Sequence, residues 1–258
     1  MRTNLKEKVA LVTGASSGLG ARFARVLAAN GALTVLAARR LERLKDLRAE
    51  IEAAGGAAHI VALDVTEQES IEAAIEQTGR EVGPIDILVN NSGVSTAQRL
   101  TEVTPVDYDY MFDTNVKGAF FVAQAVAISM IARSKQQQGQ GLKGRIVNIA
   151  SVAGMRVLPD IGVYCMTKAA VIHMTRSQAV EWGRYGINVN AICPGYIRTE
   201  MNDAVWDTEH GAKLRNLLPR KRVGTPDELD GVLLLLVAEE SQFINGAIIA
   251  ADDGMSAG

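Results

Sequence analysis

The chain has 258 residues, 48% of them hydrophobic, and its 27 Lys and Arg nearly balance 29 Asp and Glu for a formal charge of −2. That balance leaves no global electrostatic case for nucleic acid or an anionic membrane, and the length suits one α/β domain with a substantial core. No amino-terminal stretch has the charged, apolar and small-residue order of a signal peptide, and Val232–Ala238 is far shorter than the roughly 20 residues of a membrane span, so a cytoplasmic location is expected.

Short apolar runs alternate with helical patterns along the chain. Lys8–Thr13 reads as a strand, Gly18–Asn30 as a helix, Leu33–Ala37 as a strand, Leu41–Ala54 as a helix and Ala57–Leu63 as a strand ending at Asp64. Then come a helix Glu67–Val82, a strand Ile85–Asn90, one or two helices over Pro105–Ser134 and a strand Arg145–Ala150. The pattern ends with a helix Gly162–Tyr185, a strand Ile187–Cys193, a helix Pro226–Ala238 and a strand Ala247–Ala251. Parallel strands need crossovers and each crossover covers a face, so the predicted fold is a doubly wound α/β parallel sheet of about seven strands, helices on both faces, in a single domain.

Two stretches break this rhythm. Ser134–Lys143 (SKQQQGQGLK) is polar and rich in Gln and Gly, the composition of a surface loop. Pro194–Pro219 is longer than a usual connection, with an apolar patch around Met201, Val205, Trp206 and Leu214. Residues 194–220 are therefore expected to cover a substrate site, the alternative being a packed surface helix.

The first predicted turn, Thr13-Gly14-Ala15-Ser16-Ser17-Gly18-Leu19-Gly20, lies between a strand and a helix. Small residues there let backbone N–H groups and the positive helix end approach a pyrophosphate, although the spacing is not G-x-G-x-x-G and alone also suits a plain glycine-rich turn. Further on, Tyr164 and Lys168 are four apart, so in a helix both leave the same face. A fixed ammonium favours a phenolate and is expected to lower the Tyr164 pKa, while a hydroxyl at Ser151, after the apolar run from Arg145, can bond a substrate carbonyl. Taken alone, the Tyr-Lys spacing equally suits an exposed helical pair. Cys165 and Cys193 form no C-x-x-C pair and are read as reduced and apolar, and His59, His173 and His210 have no ligand spacing, so no metal is expected.

In their order along the chain, Thr13-Gly14-x-x-x-Gly18-x-Gly20, Asp64-Val65, Asn90-Asn91-Ser92-Gly93, Asn115, Ser151, Tyr164-x-x-x-Lys168 and Pro194-Gly195-x-x-x-Thr199 resemble the short-chain dehydrogenase/reductase family over essentially the whole length. The resemblance implies a Rossmann-type fold and a catalytic tetrad of Asn115, Ser151, Tyr164 and Lys168, with Asn115 anchoring a water that links Lys168 to solvent. It also implies that Gly14, Ser16, Ser17, Gly18, Leu19 and Gly20 lie under the cofactor and that Asp64 and Val65 meet its adenine. Asn91 and Gly93 would line its pocket, Tyr164 and Lys168 its ribose side, and Pro194, Gly195, Ile197 and Thr199 its nicotinamide end. Ser92 replaces the family's usual Ala, and Asp252-Asp253-Gly254 stands where D-G-G is common. A homotetramer paired through the helices Pro105–Ser134 and Gly162–Tyr185 is a further implication.

Cofactor choice is read at the end of the second strand, where a carboxylate about 20 residues after the glycines holds the ribose 2′-OH of NAD and an arginine suits a 2′-phosphate. This chain has Ala37-Ala38-Arg39-Arg40, so NADP(H) is expected over NAD(H), the alternative being two solvated charges with Glu42 as partner. The expected reaction is NADP(H)-linked reduction of a small-molecule ketone, such as a 3-oxoacyl thioester or a cyclic ketone, to a secondary alcohol with Tyr164 as the acid. Two alternatives stay open: an NAD-linked dehydrogenase of a secondary alcohol or sugar acid, and a non-catalytic NADP(H)-sensing protein. Val94–Leu100, Ala153–Ile161 and Tyr196–Trp206 are the candidate substrate-lining segments, mixing Met155, Val157, Leu158 and Trp206 with Arg99, Arg156 and Arg198.

Overall fold

The computed structural model describes residues 3–136, 143–200 and 202–257. Seven strands form one parallel sheet in the order β3-β2-β1-β4-β5-β6-β7: β1 (Val9–Thr13), β2 (Leu33–Ala38), β3 (Ala57–Ala62), β4 (Ile87–Asn90), β5 (Gly144–Ile149), β6 (Ile187–Pro194) and β7 (Ile248–Ala251). The central strands β1, β4, β5 and β6 are buried throughout, as a sheet covered on both faces requires, including the polar Arg145, Asn148, Asn188 and Asn190 of β5 and β6.

Alternation along a strand feeds two cores. Ala10 and Val12 of β1 face α1 (Gly18–Ala29), α2 (Leu41–Ala53) and α9 (Asp230–Val237), whereas Val9 and Leu11 face α3 (Gln68–Glu81), α5 (Ala119–Gln136) and α6 (Gly162–Trp182). The chain runs outward from β1 to β3 and returns with β4 beside β1. That reversal opens a crevice beyond the carboxyl ends of β1 and β4, the place where doubly wound sheets take their ligands.

The apolar stretch Pro105–Gln136 is one helical run in three parts: α4 (Pro105–Phe112), a π-helical segment Asp113–Gly118, and α5. Thr104 starts it by accepting a hydrogen bond from the Asp107 N–H, with Pro105 in the first turn. The run is long and apolar enough to cross a membrane by length and composition. Here its Val122, Val126 and Met130 are buried against the sheet. It continues through Ser134, Lys135 and Gln136, which corrects the loop expected from Ser134; the rest of that stretch, 137–142, lies outside the described residues.

Residues 194–220 form two short helices, α7 (Asp203–Trp206) and α8 (Glu209–Leu217), the second capped by Thr208, which accepts from the Gly211 N–H at 3.0 Å. Met201 of the expected apolar patch lies outside the described residues. The segment is closed at its neck, where Arg198 N–H donates to Gly224 O and Gly224 N–H to Tyr196 O, both at 2.9 Å. Asp253 adopts φ 59, a conformation short polar residues tolerate, and its carboxylate accepts from Arg220 and Arg222 at the far end of the segment. Those two arginines account for an aspartate where glycine is common.

Candidate active site

The loop after β1 shows why glycine is needed there. Gly14 and Gly18 have φ 65 and 54, and a Cβ on Gly20 would sit 2.3 Å from Gly14 O and 2.6 Å from Asn91 Nδ2. Thr13 Oγ1 accepts from the Asn91 and Ser92 N–H groups, and Asn91 Nδ2 donates to Thr13 O at 3.0 Å, so the turns after β1 and β4 are stitched together. The first turn of α1 carries no acidic residue. This cradle, tight against its own backbone and open in charge at the helix end, fits a pyrophosphate. Asn91, expected to line the pocket, braces the cradle from behind. Gly20→Ala is expected to cost on the order of 1–3 kcal/mol by overpacking. A thermal melt would show this as a Tm roughly 2–12 °C lower; an unchanged Tm would mean that the two turns separate freely.

At the end of β2 the structure divides the two arginines. Arg40, the residue before α2, donates to Ser16 Oγ at 2.9 and 3.1 Å and to Ser17 Oγ at 2.7 Å, while Arg39 lies 3.6 Å from Asp64 Oδ2. Neither takes Glu42, which pairs with Lys45. Burial opposes ionisation of Asp64, but hydrogen bonds from Thr66 and the charge of Arg39 outweigh it and hold the carboxyl below its usual range. Val65 is buried, and Gly118 packs so closely that a Cβ there would lie 2.6 Å from Val65 O. Arg43, which the sequence reading passed over, pairs with Glu200 at 2.6 Å and ties the first turn of α2 to the segment after Thr199.

The four residues of the expected tetrad converge at the carboxyl ends of β4 and β5. Ser151 follows β5 and accepts from the Ala153 N–H at 3.1 Å, and its hydroxyl lies close enough to the Tyr164 phenol, near the start of α6, to favour the phenolate. Lys168, one turn on and 4% exposed, donates to Ile149 O at 2.8 Å and stands 5.6 Å from the centre of the Tyr164 ring. Asn115 lies in the π-helical segment, Oδ1 accepting from Val94 N–H at 2.7 Å and Nδ2 donating to Val94 O and Thr167 Oγ1. Its amide is thus engaged by protein, and a Cβ on Gly93 would lie 3.3 Å from Asn115 Oδ1 and 3.5 Å from Lys168 Nζ. Thr167, which also donates to Tyr164 O, links Asn115 to α6; a threonine inside a helical pattern gave no signal of that.

The electrostatics correct one expectation. Burial drives the Tyr164 phenol up to about 12, the Ser151 hydrogen bond only partly opposing it, and burial brings Lys168 down to about 8. Lys168 Nζ is directed at a carbonyl and lies over the ring, so desolvation wins over the ammonium's pull on the hydroxyl. The pair shares its easiest proton at Lys168.

Around this centre, Tyr196 stacks edge-on against the buried Trp206 with centroids 5.1 Å apart. Arg198 donates to Asp203 and, at 3.1 Å, to Asp207, which neutralises it within the covering segment. Cys165 and Cys193 are free and buried, the first beside Leu158.

The family described as enoyl-(acyl carrier protein) reductase matches residues 14–256. The chain is 40% identical to gluconate 5-dehydrogenase of Gluconobacter oxydans over 248 residues, covering 96% of this chain and 94% of that protein. It is 40% identical to sorbitol dehydrogenase of Cereibacter sphaeroides over 260 residues, with 97% and 98% covered. The crystal structure of a gluconate 5-dehydrogenase from Burkholderia cenocepacia in complex with NADP and tartrate superposes with a TM-score of 0.92 at 37% identity, covering 100% of this chain and 98% of that one. A doubly wound sheet with this site defines a nicotinamide-cofactor oxidoreductase acting on CH–OH and C=O groups. The chain belongs to the short-chain dehydrogenase/reductase family.

Proposed function

We propose that the chain interconverts a small hydroxylated secondary alcohol, a sugar acid or polyol, and its ketone, with NADP(H) preferred over NAD(H). The observation that carries this reading is the convergence of Ser151, Tyr164, Lys168 and Asn115 beside the glycine cradle. The substrate class rests on the gluconate and sorbitol dehydrogenases to which the chain is similar, and it replaces the thioester and cyclic ketones as the leading candidates.

Gly14, Gly18, Gly20 and the start of α1 hold the cofactor's pyrophosphate, Arg39, Arg40 and Ser16 its extra phosphate, and Thr199 the nicotinamide end. When bound, the nicotinamide supplies or accepts the hydride. Ser151 and Tyr164 fix the substrate oxygen by two hydrogen bonds, which strengthen as that oxygen gains charge. Tyr164 gives the proton in reduction and takes it in oxidation, Lys168 replenishes it, and Asn115 fixes the wide turn beside Lys168. Residues 194–220 act as a cover, with Tyr196 and Trp206 as its apolar underside. Apolar residues exposed on α5 and α6, Phe120, Ile128, Met166 and Val180, support the homotetramer, and the proposed setting is the cytoplasm.

The test is oxidation of NADPH and NADH side by side against a keto sugar acid, a keto polyol, a 3-oxoacyl thioester and a cyclic ketone, with the Arg39→Ala, Arg40→Ala double variant in parallel. The hydroxylated ketones are expected to turn over. The double variant is expected to weaken NADPH roughly 10- to 100-fold, the range of a lost charge-assisted hydrogen bond, and NADH little. Equal weakening of both cofactors would sink the phosphate assignment, and turnover of the thioester alone would replace the substrate class.

A further inference from the structure

Resting on the reading above, we infer that Thr167 is a positioning residue for the substrate: its hydroxyl holds the Val94–Leu100 wall of the site to the helix that carries Tyr164 and Lys168. Thr167 lies one residue before Lys168, is fully buried, and acts through Asn115.

The chain of bonds has a direction. A threonine hydroxyl has one hydrogen, and here it is committed, because Thr167 Oγ1 donates to Tyr164 O, three residues back, at 2.8 Å. The oxygen is left as an acceptor, and it takes Asn115 Nδ2 at 3.1 Å. With its nitrogen turned that way, Asn115 gives its second hydrogen to Val94 O at 2.8 Å and presents Oδ1 to the Val94 N–H at 2.7 Å. Both amide hydrogens of Asn115 and both backbone groups of Val94 are used, so one hydroxyl on α6 orients a relay that ends at the wall.

The far end of the wall reaches the same helix. Gln98 N–H donates to Asp160 O at 2.7 Å, just ahead of α6, and the Gln98 side chain donates to Asp107 Oδ2 on α4 at 2.9 Å. Leu100 lies over Gly162, the first residue of α6, where a Cβ would come within 2.5 Å of Leu100 Cδ2. Gly162 and Thr167 stand on either side of Tyr164 along α6, so the wall is fixed at both ends relative to the acid. The lining segment after Ser151 needs no such hydroxyl, because it packs directly on the helix: a Cβ on Gly154 would lie 2.6 Å from the Lys168 carbonyl carbon and oxygen. Removing the Thr167 hydroxyl leaves a buried Asn115 donor unpaired and frees the amide to leave Val94, while Lys168 Nζ stays on Ile149 O.

The experiment is steady-state reduction by the full chain with NADPH and a keto sugar acid or keto polyol, for wild type, Thr167→Val, Thr167→Ala, Thr167→Ser, Asn115→Ala and the double variant Thr167→Val, Asn115→Ala. Thr167→Val and Thr167→Ala should raise the ketone KM about 5- to 100-fold, the range of a buried donor left unpaired, with NADPH affinity by fluorescence titration within about 2-fold. Thr167→Ser keeps the hydroxyl and should stay within about 3-fold of wild type. In the double variant Thr167→Val should add little to the loss from Asn115→Ala, as expected of two residues in one relay. The bend in the pH profile should stay where wild type has it. An unchanged ketone KM in Thr167→Val and Thr167→Ala, a serine variant as impaired as valine, or losses that multiply in the double variant overturns the inference. Loss of NADPH binding in step with turnover in both hydroxyl-free variants also overturns it, by making Thr167 a part of the fold alone. All of these leave the proposed function standing, whereas a wild type silent on every ketone overturns the proposed function itself.

Discussion

Tyr164→Phe is expected to lower kcat by about 10²- to 10⁴-fold, the usual contribution of a positioned acid or base, while leaving NADPH affinity within a few-fold. The substitution removes one hydroxyl from a buried ring and leaves the ring in place. Ser151 keeps the Ala153 N–H as a donor, so the fold has little to relax. The cradle that would hold the cofactor is built from β1, α1 and the turn at Asn91, none of which contacts the phenol oxygen. Turnover with a responsive ketone, paired with an NADPH fluorescence titration, separates the two effects. A variant that keeps near wild-type turnover would remove Tyr164 as the acid; one that loses NADPH binding in proportion to turnover would give the phenol a structural role.

The parts of the fold legible in the sequence are those in which one strong pattern meets no competitor. β1, β4, β5 and β6 are short, mostly apolar stretches buried on both faces, and each was readable to within a few residues. The π-helical segment at Asn115 was not: DTNVKG is rich in weak helix formers, but composition does not tell a wide turn from an α-turn. Its cause is tertiary: Gly118 abuts Val65, and Asn115 is drawn to the Val94 backbone, a contact between residues 21 apart. The loop expected from Ser134 failed for a similar reason. The polar residues 134–136 extend a helix already propagating from α5, and adding residues to a formed helix needs no new nucleus.

For the site, order along the chain showed which residues meet but not how they divide the work. Arg39 and Arg40 are adjacent letters, yet one turns to Asp64 and the other to Ser16 and Ser17, because neighbouring side chains in the extended stretch before α2 leave in different directions. The three arginines of the lining segments looked alike, and only their partners separate a neutralised Arg198 from Arg156. The Tyr164 pKa went the other way from expectation because spacing reports proximity and not burial. A charge one turn away cannot be weighed until the depth of both groups is known.

That burial sets the second large effect. With Tyr164 near 12 and Lys168 near 8, the two titrate as a pair whose first proton leaves at about 8, from the lysine side. Below that value the pair is fully protonated and cannot take the proton of an alcohol; above it, a vacancy exists that Tyr164 fills on reaction and passes to Lys168. Alcohol oxidation is therefore expected to rise about tenfold per pH unit up to about 8 and then level. Ketone reduction, which needs the full complement, is expected to be flat at low pH and to fall above the same point. Because the lysine value is depressed, the proton is present below about 8 and absent above it, so the two directions must bend at one pH with opposite sign. In Lys168→Met the remaining group is the phenol near 12. Oxidation is then expected to lose its plateau and climb through the whole accessible range, about 10²-fold slower or more at neutral pH. Initial rates in both directions from about pH 6 to about 10 decide it. A Lys168→Met enzyme that keeps the wild-type bend would assign the titration to another group and take Lys168 out of the proton path.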